Sequence, residues 1–303
     1  MQELTGQCNE PIVILHGGAG SWDPGRERMA AATQELIRIA EETIGAIVAR
    51  MPLIDATTHA LNGMEEHPIF NAGYGSVIQG DGEARLTAAL MNGELQSFSG
   101  VIGATNMRFP SLIAKDLQHA RSRVMTMPGI ELLATRLGIK RESPISDERR
   151  KQYEERLKTR KQDGADMGFD TVGCVVRDKE GLMAAGTSTG GRGFEMPGRV
   201  SDAATVAGTY ASRFAAISAT GVGEQIVDDA LAARLETRVR DGLTLAQASA
   251  RALQEGNSAV GGIRQYGWIA LDAKGGWATA HLTPTMSYVV MSASGLIASS
   301  MPK

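Results

Sequence analysis

Apolar residues along this chain alternate between short strand-like runs and longer stripes at helical spacing. Ile12 to Leu15 is an uninterrupted apolar run, and Val172, Cys174, Val175 and Val176 form the β-branched kind that fills a buried strand. Met29, Ala32, Leu36, Ala40, Ile44, Ile47 and Val48 recur instead on one face of a helix, which Pro24 is placed to open. Asp55 suits the cap of a second helix. Strands are predicted over Ala84–Met91 and Gly100–Ala104, helices over about 111–125 and 129–137. Two similar hairpins follow: Val172–Val176 with Leu182–Ala185, and Trp268–Leu271 with Trp277–Ala280. Between them the pattern predicts one helix from Glu224 to Arg240 and another from Thr244, where Gln247 completes a capping box. Strands bracket helices on both halves, which predicts an α+β or α/β layered arrangement with sheets face to face and helices outside.

The rhythm fails in one place. From Ser146 to Asp163 nearly every residue is charged or polar; a solvated helix could form between Asp147 and Lys161, but no apolar stripe would anchor it. A mobile linker is therefore expected over about 143–170. Composition adds bounds. With 303 residues, 43% of them hydrophobic and 21% charged, the chain can bury a sizeable core. A net charge of −3 provides no global field to recruit nucleic acid or an anionic membrane. No window approaches the length of a membrane-spanning helix. Cys8 lies in a polar tail and Cys174 in a buried strand, so a disulfide is not expected and a reducing compartment is favoured. Residues 1–11 lack a basic start followed by an apolar core, so no secretory signal is expected and the location reads as cytoplasmic.

The candidate chemistry sits where the linker meets the strand, at Asp170-Thr171-Val172-Gly173. If the Asp170–Thr171 bond is cut, Thr171 carries both a hydroxyl nucleophile and a free α-amine to take its proton. Such an amine has a reference pKa of about 7.7–8.0, so no histidine partner is required. Downstream, Thr189 ends the strand paired with the one Thr171 begins, where its hydroxyl could hold the amine. Arg199 and Asp202 offer a cation and an anion on one loop, matching the carboxylate and ammonium of an amino acid. Thr220 and Gly221 precede a predicted helix and could supply oxyanion donors. Taken singly, each of these also has an ordinary structural reading as a strand end, a surface ion pair or a turn.

Taken in order, His16-Gly17-Gly18-Ala19-Gly20, Phe70-Asn71-Ala72-Gly73, Asp170-Thr171-Val172-Gly173, Thr187-Ser188-Thr189-Gly190-Gly191, Gly198-Arg199-Val200 and Thr220-Gly221-Val222-Gly223-Glu224 resemble the plant-type asparaginases. That family of N-terminal-nucleophile hydrolases also contains isoaspartyl peptidases, glycosylasparaginases and threonine aspartases. The resemblance covers about 12–295. It implies a single domain with an αββα sandwich, cut by autoproteolysis at Asp170–Thr171 into subunits 1–170 and 171–303 and assembled as a dimer of cleaved protomers. It implies hydrolysis of β-aspartyl dipeptides and L-asparagine, with Thr171 as nucleophile, Thr189 supporting the amine and Asn71 positioning the nucleophile. It further implies that Thr220 and Gly221 bind the oxyanion, while Arg199, Asp202 and Gly223 bind substrate. No cofactor is implied beyond a structural sodium ion, held by backbone carbonyls of Met64, Glu65, His67, Phe70, Ala72 and Tyr74.

Four positions depart from the family pattern. Phe169-Asp170 precede the nucleophile where most asparaginase-type members have glycine, Ser201-Asp202-Ala203-Ala204 replaces Gly-Asp-Ser-Pro, Thr87 replaces an aspartate, and Ser212 stands near a frequent asparagine. Three alternatives stay open: glycosylasparaginase-like cleavage, endopeptidase action after aspartate, and an uncleaved silent relative. A dinucleotide-binding reading of the loop after Ile12–Leu15 lacks the third glycine and the distal acidic residue. The five histidines show no metal-ligand spacing.

Overall fold

The computed structural model describes residues 2–20, 26–159 and 171–301. Its strands form two sheets. The smaller has five strands in the order β1 (Gln2–Gln7), β11 (Gly276–His281), β10 (Tyr266–Asp272), β9 (Ala215–Gly221) and β8 (Thr209–Ala211). The larger has eight: β13 (Gly295–Ser299), β12 (Thr285–Ser292), β2 (Ile12–Gly20), β6 (Val172–Arg177), β7 (Met183–Thr189), β3 (Leu86–Asn92), β4 (Ser97–Ala104) and β5 (Val124–Thr126). All strand pairs are antiparallel except β4 with β5.

Successive side chains of a strand face opposite ways, and the cores follow that alternation. Val13 and Leu15 of β2, with Val172, Cys174 and Val176 of β6, pack against α1 (Arg26–Val48) and α2 (Leu53–Glu66). Trp268 and Ala270 of β10, with Ile217 and Ala219 of β9, pack against α7 (Leu231–Arg240) and α8 (Leu245–Asn257). The residues in between, Ile12, Ile14 and Val175 from the larger sheet and Ala216, Ile269 and Leu271 from the smaller, form a third cluster shared by both. Strands buried on both faces cannot alternate apolar with polar, which is why β2 and β6 read as continuous runs. A fourth cluster joins β3 and β4 to α3 (Pro110–Asp116) and α4 (Gly129–Arg136).

Several expectations need correction. His16–Gly20 is not a loop but the second half of β2, because β12 pairs with it from Thr285 to Tyr288. The second helix starts at Leu53 behind Pro52, and Asp55 lies in its first turn rather than at the cap. The helix expected over 111–125 ends at Asp116, followed by a 3-10 turn and then β5, whose partner is β4. The single helix expected from Glu224 is two, α6 (Gly223–Asp228) and α7, broken at Ala230 with φ +47°. The polar tail containing Gln2–Gln7 is β1, recruited by backbone pairing with β11. The solvated helix allowed for between Asp147 and Lys161 is present as α5 (Asp147–Thr159); what differs is that it is anchored, without an apolar stripe. Buried Arg149 donates from Nε to the Gly75 carbonyl at 2.7 Å, and Tyr153 stacks on Phe194 with centroids 4.8 Å apart. Pro24 and Asp170 lie outside the described residues. Among those described, no helix is long and apolar enough to cross a membrane. Both cysteines are free.

Candidate active site

Thr171 immediately precedes β6 and is 6% exposed. Because Val172, the first residue of β6, pairs with Ser188, the last but one of β7, Thr171 comes level with Thr189. The Thr171 hydroxyl donates to Oγ1 of Thr189 at 3.1 Å, and that oxygen also accepts the Gly191 N–H at 3.1 Å. A third hydroxyl comes from the other sheet. Thr220 donates to the Thr171 carbonyl at a long 3.4 Å and accepts the Ala19 N–H at 3.3 Å. Gly221 ends β9 opposite Tyr266.

Asn71 works through the turn after Thr189. Its Nδ2 donates to the Gly191 carbonyl at 2.7 Å, its Oδ1 accepts the Val77 N–H at 2.9 Å, and its carbonyl accepts the Gly190 N–H at 2.9 Å. Asn71 therefore holds the backbone that holds Thr189. Behind β7 lies fully buried Glu65, which accepts Ser188 Oγ at 2.7 Å and Ser111 Oγ at 2.6 Å. Burial pushes its carboxyl up to about 8, against the pull of those hydrogen bonds. A polar seam stitches the sheets together beside Thr171. Ser218 Oγ lies 3.0 Å from His16 Nε2 and 2.7 Å from Thr187 Oγ1, to which Thr209 donates at 2.6 Å. Burial lowers His16 to about 3, so the ring is neutral at ordinary pH.

The charged group lies on the loop after β7. Arg199 grips Glu224 with two nitrogens, Nε to Oε1 at 2.8 Å and Nη2 to Oε2 at 3.1 Å. Asp202 is buried, with Ser201 Oγ donating to Oδ1 at 3.1 Å and no hydrogen-bond partner for Oδ2. Burial raises its pKa to about 6, while the Ser201 hydrogen bond and the Arg199 charge pull it down. Gly223 is needed where it stands, since a Cβ there would lie 2.8 Å from both Arg199 Nη2 and Asp202 Oδ1. Arg199, Asp202 and Gly223 thus converge, as Thr171, Thr189 and Thr220 do. Spacing within the sequence did not reveal that Glu224 occupies the arginine fork, nor that Arg192 reaches the same carboxylate at 3.5 Å. Both contacts join residues far apart in the chain.

The residues whose carbonyls are expected to hold a sodium ion lie at the end of α2 and in the turn after it. Tyr74 N–H already donates to the Glu65 carbonyl at 2.7 Å, and Gly75 N–H to that of Ala72 at 3.1 Å. Two glycines keep the turn open, since a Cβ on Gly73 would lie 2.0 Å from the Glu65 oxygen and one on Gly75 1.9 Å from that of Phe70. Neutral carbonyl oxygens are the donor type a hard cation takes. Among the described residues no group of three His, Cys, Asp or Glu side chains could hold a metal. A large apolar cleft lined by Ile47, Met51, Leu95, Leu112 and Leu182 shares no residue with this cluster. Convergent hydroxyls and charges, not cavity size, mark the site.

A family model described as asparaginase matches residues 9–299. The chain is 38% identical over 287 residues to an isoaspartyl peptidase/L-asparaginase of Synechocystis sp., covering 91% of this chain and 86% of that one. It is 37% identical over 279 residues to a protein of the same name from Nostoc sp., covering 88% and 87%. It is 33% identical over 287 residues to an isoaspartyl peptidase of Salmonella typhimurium, covering 88% and 90%.

Proposed function

The chain belongs to the asparaginase family, and from that premise we propose that it is a hydrolase that releases L-aspartate from β-aspartyl dipeptides and from L-asparagine, using Thr171 as nucleophile after cleavage of its own chain. The observation that carries this reading is the Thr171 hydroxyl at the mouth of β6, 3.1 Å from a Thr189 oxygen that the backbone holds in place. The names of the Synechocystis, Nostoc and Salmonella relatives support the substrate class. The three clusters support an αββα layer order, with α1 and α2 on one sheet, α7 and α8 on the other, and a shared core between.

In the maturation step, Thr171 Oγ attacks the Asp170 carbonyl carbon, the peptide C–N bond breaks, and the acyl group moves from nitrogen to oxygen. Water then hydrolyses that ester, leaving the Asp170 carboxylate and a free Thr171 α-amine. In each turnover the amine takes the Thr171 hydroxyl proton as Oγ attacks the substrate's β-carbonyl carbon. The Thr220 hydroxyl and the Gly221 N–H meet the oxyanion, where one such donor is worth about 2.7–4 kcal/mol. The ammonium returns its proton to the departing amine, and water releases aspartate from the acyl-enzyme. Arg199 and Asp202 fix the substrate's α-carboxylate and α-ammonium, so the β-carbonyl arrives at the nucleophile already oriented. A sodium-type cation held by the carbonyls of Met64, Glu65, His67, Phe70, Ala72 and Tyr74 would neutralise their dipoles and stiffen the turn that carries Asn71. The assembly proposed with this mechanism is a dimer of cleaved protomers, as the family resemblance implies.

The test is aspartate release from β-aspartyl-leucine, L-asparagine and asparagine-linked N-acetylglucosamine, alongside a denaturing gel. We expect two bands, the smaller beginning Thr-Val-Gly, and turnover of the first two substrates. Preference for the glycan amide would move the assignment to the glycosylasparaginase reading. An active enzyme whose mass is that of the intact chain would remove the base and with it the mechanism.

A further inference from the structure

The loop after β7 brings a second guanidinium to the site that neither the motif nor the mechanism above uses. The main chain of Arg192 follows Gly191, whose N–H is bound to the Thr189 hydroxyl at 3.1 Å. Arg192's own N–H is fixed by Glu195 Oε2 at 3.0 Å, and Glu195 Oε1 also lies 3.3 Å from Gln79 Nε2. The root of this side chain is thus one residue from a group touching the nucleophile's partner. Its head lies 3.5 Å from Glu224 Oε2, the oxygen that Arg199 Nη2 already holds at 3.1 Å. Arg199 has the two-pronged claim on that carboxylate, and Arg192 adds a second cation beside the same oxygen. Its side chain is 34% exposed, which leaves room for a swing about its anchored backbone.

The substrates of the proposed reaction differ in one respect that matters here. L-asparagine and asparagine-linked N-acetylglucosamine each bring one carboxylate and one ammonium, which Arg199 and Asp202 suffice to bind. A β-aspartyl dipeptide brings a second carboxylate, on the amino acid that leaves. That group lies beyond the scissile bond, and the Gly190–Arg192 turn carries a guanidinium one residue from the Gly191 N–H that holds Thr189. We propose that Arg192 forms the leaving-group subsite of this centre and binds the C-terminal carboxylate of the amino acid released from a β-aspartyl dipeptide. The inference rests on the hydrolase reading above and deepens it: the preferred substrate class is the β-aspartyl dipeptide with a free C-terminus. A planar fork matched to a carboxylate accounts for the use of arginine, and lysine should replace it only in part.

The test compares β-aspartyl-leucine with β-aspartyl-leucinamide, whose terminal carboxylate is a neutral amide, on the mature enzyme and on Arg192→Gln and Arg192→Lys. The expected kcat/KM ratio of acid to amide is about tenfold in the unsubstituted enzyme, the size of one charge-assisted hydrogen bond. It should fall to about one in Arg192→Gln, chiefly through KM for the acid, and lie between in Arg192→Lys. An acid-to-amide ratio near one in the unsubstituted enzyme, or a ratio unchanged by Arg192→Gln, overturns the subsite. Equal losses on both substrates in Arg192→Gln do the same, since they mark a structural role. Turnover of L-asparagine without any carboxylate preference overturns the subsite and leaves the hydrolase reading standing, whereas no turnover of any substrate removes both.

Discussion

Thr171, Thr189 and Thr220 stand at the ends of paired strands, whereas Arg199, Asp202 and Arg192 stand on the loop that follows β7, and the contrast is one of charge and of what anchors each group. At the strand ends the groups are neutral hydroxyls, and backbone N–H groups from Gly191 and Ala19 hold two of them. Strand register fixes them, so little reorganisation is needed when charge develops. On the loop the groups are ions in mutual contact, with Arg199 gripping Glu224 and Asp202 half-satisfied beside them. An ion pair on a loop can exchange partners, which is what a site needs in order to admit a charged amino acid. One half is built to be still, the other to trade.

The largest test of that division is Thr171→Ala. Loss of the proposed nucleophile should cost at least about a thousandfold in aspartate release, and a denaturing gel should show one band in place of two. A two-band pattern in this variant would place the chain cut, and so the nucleophile, elsewhere. On the loop side the corresponding change is Arg199→Lys. It keeps the charge and removes the fork, and one charge-assisted hydrogen bond is worth about 1.5–3 kcal/mol, so kcat/KM should fall about 10–100-fold. The loss should sit mostly in KM, because the contact is made equally in ground and transition states. A fall confined to kcat would mean that Arg199 belongs functionally with the hydroxyls.

Thr189→Val sharpens the strand-end half. The substitution keeps the β-branched shape, leaving the Gly191 N–H and the Thr171 hydroxyl without their shared oxygen. We expect about a tenfold loss in kcat with KM nearly steady, and recovery in Thr189→Ser. If serine does not rescue, the methyl packing rather than the hydroxyl carries the role.

The two halves also differ in how far the sequence disclosed them. The strand-end residues were legible because each bounds a strand-like run, and strand pairing then puts Thr171 beside Thr189 once the hairpin is recognised. The hairpins and α8 with its capping box follow from local rules and match in position. What local rules missed was decided by distant partners. Gln2–Gln7 is polar and becomes a strand only because β11 offers a free edge, and His16–Gly20 extends β2 because β12 pairs with it. The predicted helix from Glu224 breaks at Ala230 within a run that carries no glycine or proline to announce it. Likewise the loop's ion pairs, Arg199 and Arg192 on Glu224, have no periodicity or spacing to betray them.

The smallest expected effect is the most specific to the loop. Burial holds Asp202 near 6, so in the free enzyme its carboxyl gains a proton as the pH falls through that value and loses its grip on an ammonium. The proposed Thr171 amine must also be neutral, which gives kcat/KM one rising limb toward its reference pKa of about 7.7–8.0. Asp202 adds a second limb, so the log slope should steepen from one to two below about pH 6, with an extra loss of about fourfold at pH 5.5. His16, near 3, contributes no step in this range. In the substrate complex the bound ammonium keeps Asp202 ionised, so kcat should retain a slope of one throughout. Asp202→Asn, slower at every pH, should show slope one in kcat/KM as well. A wild-type profile that never steepens would mean that Asp202 is already charged when substrate arrives, and the loop would then be as fixed as the strand ends.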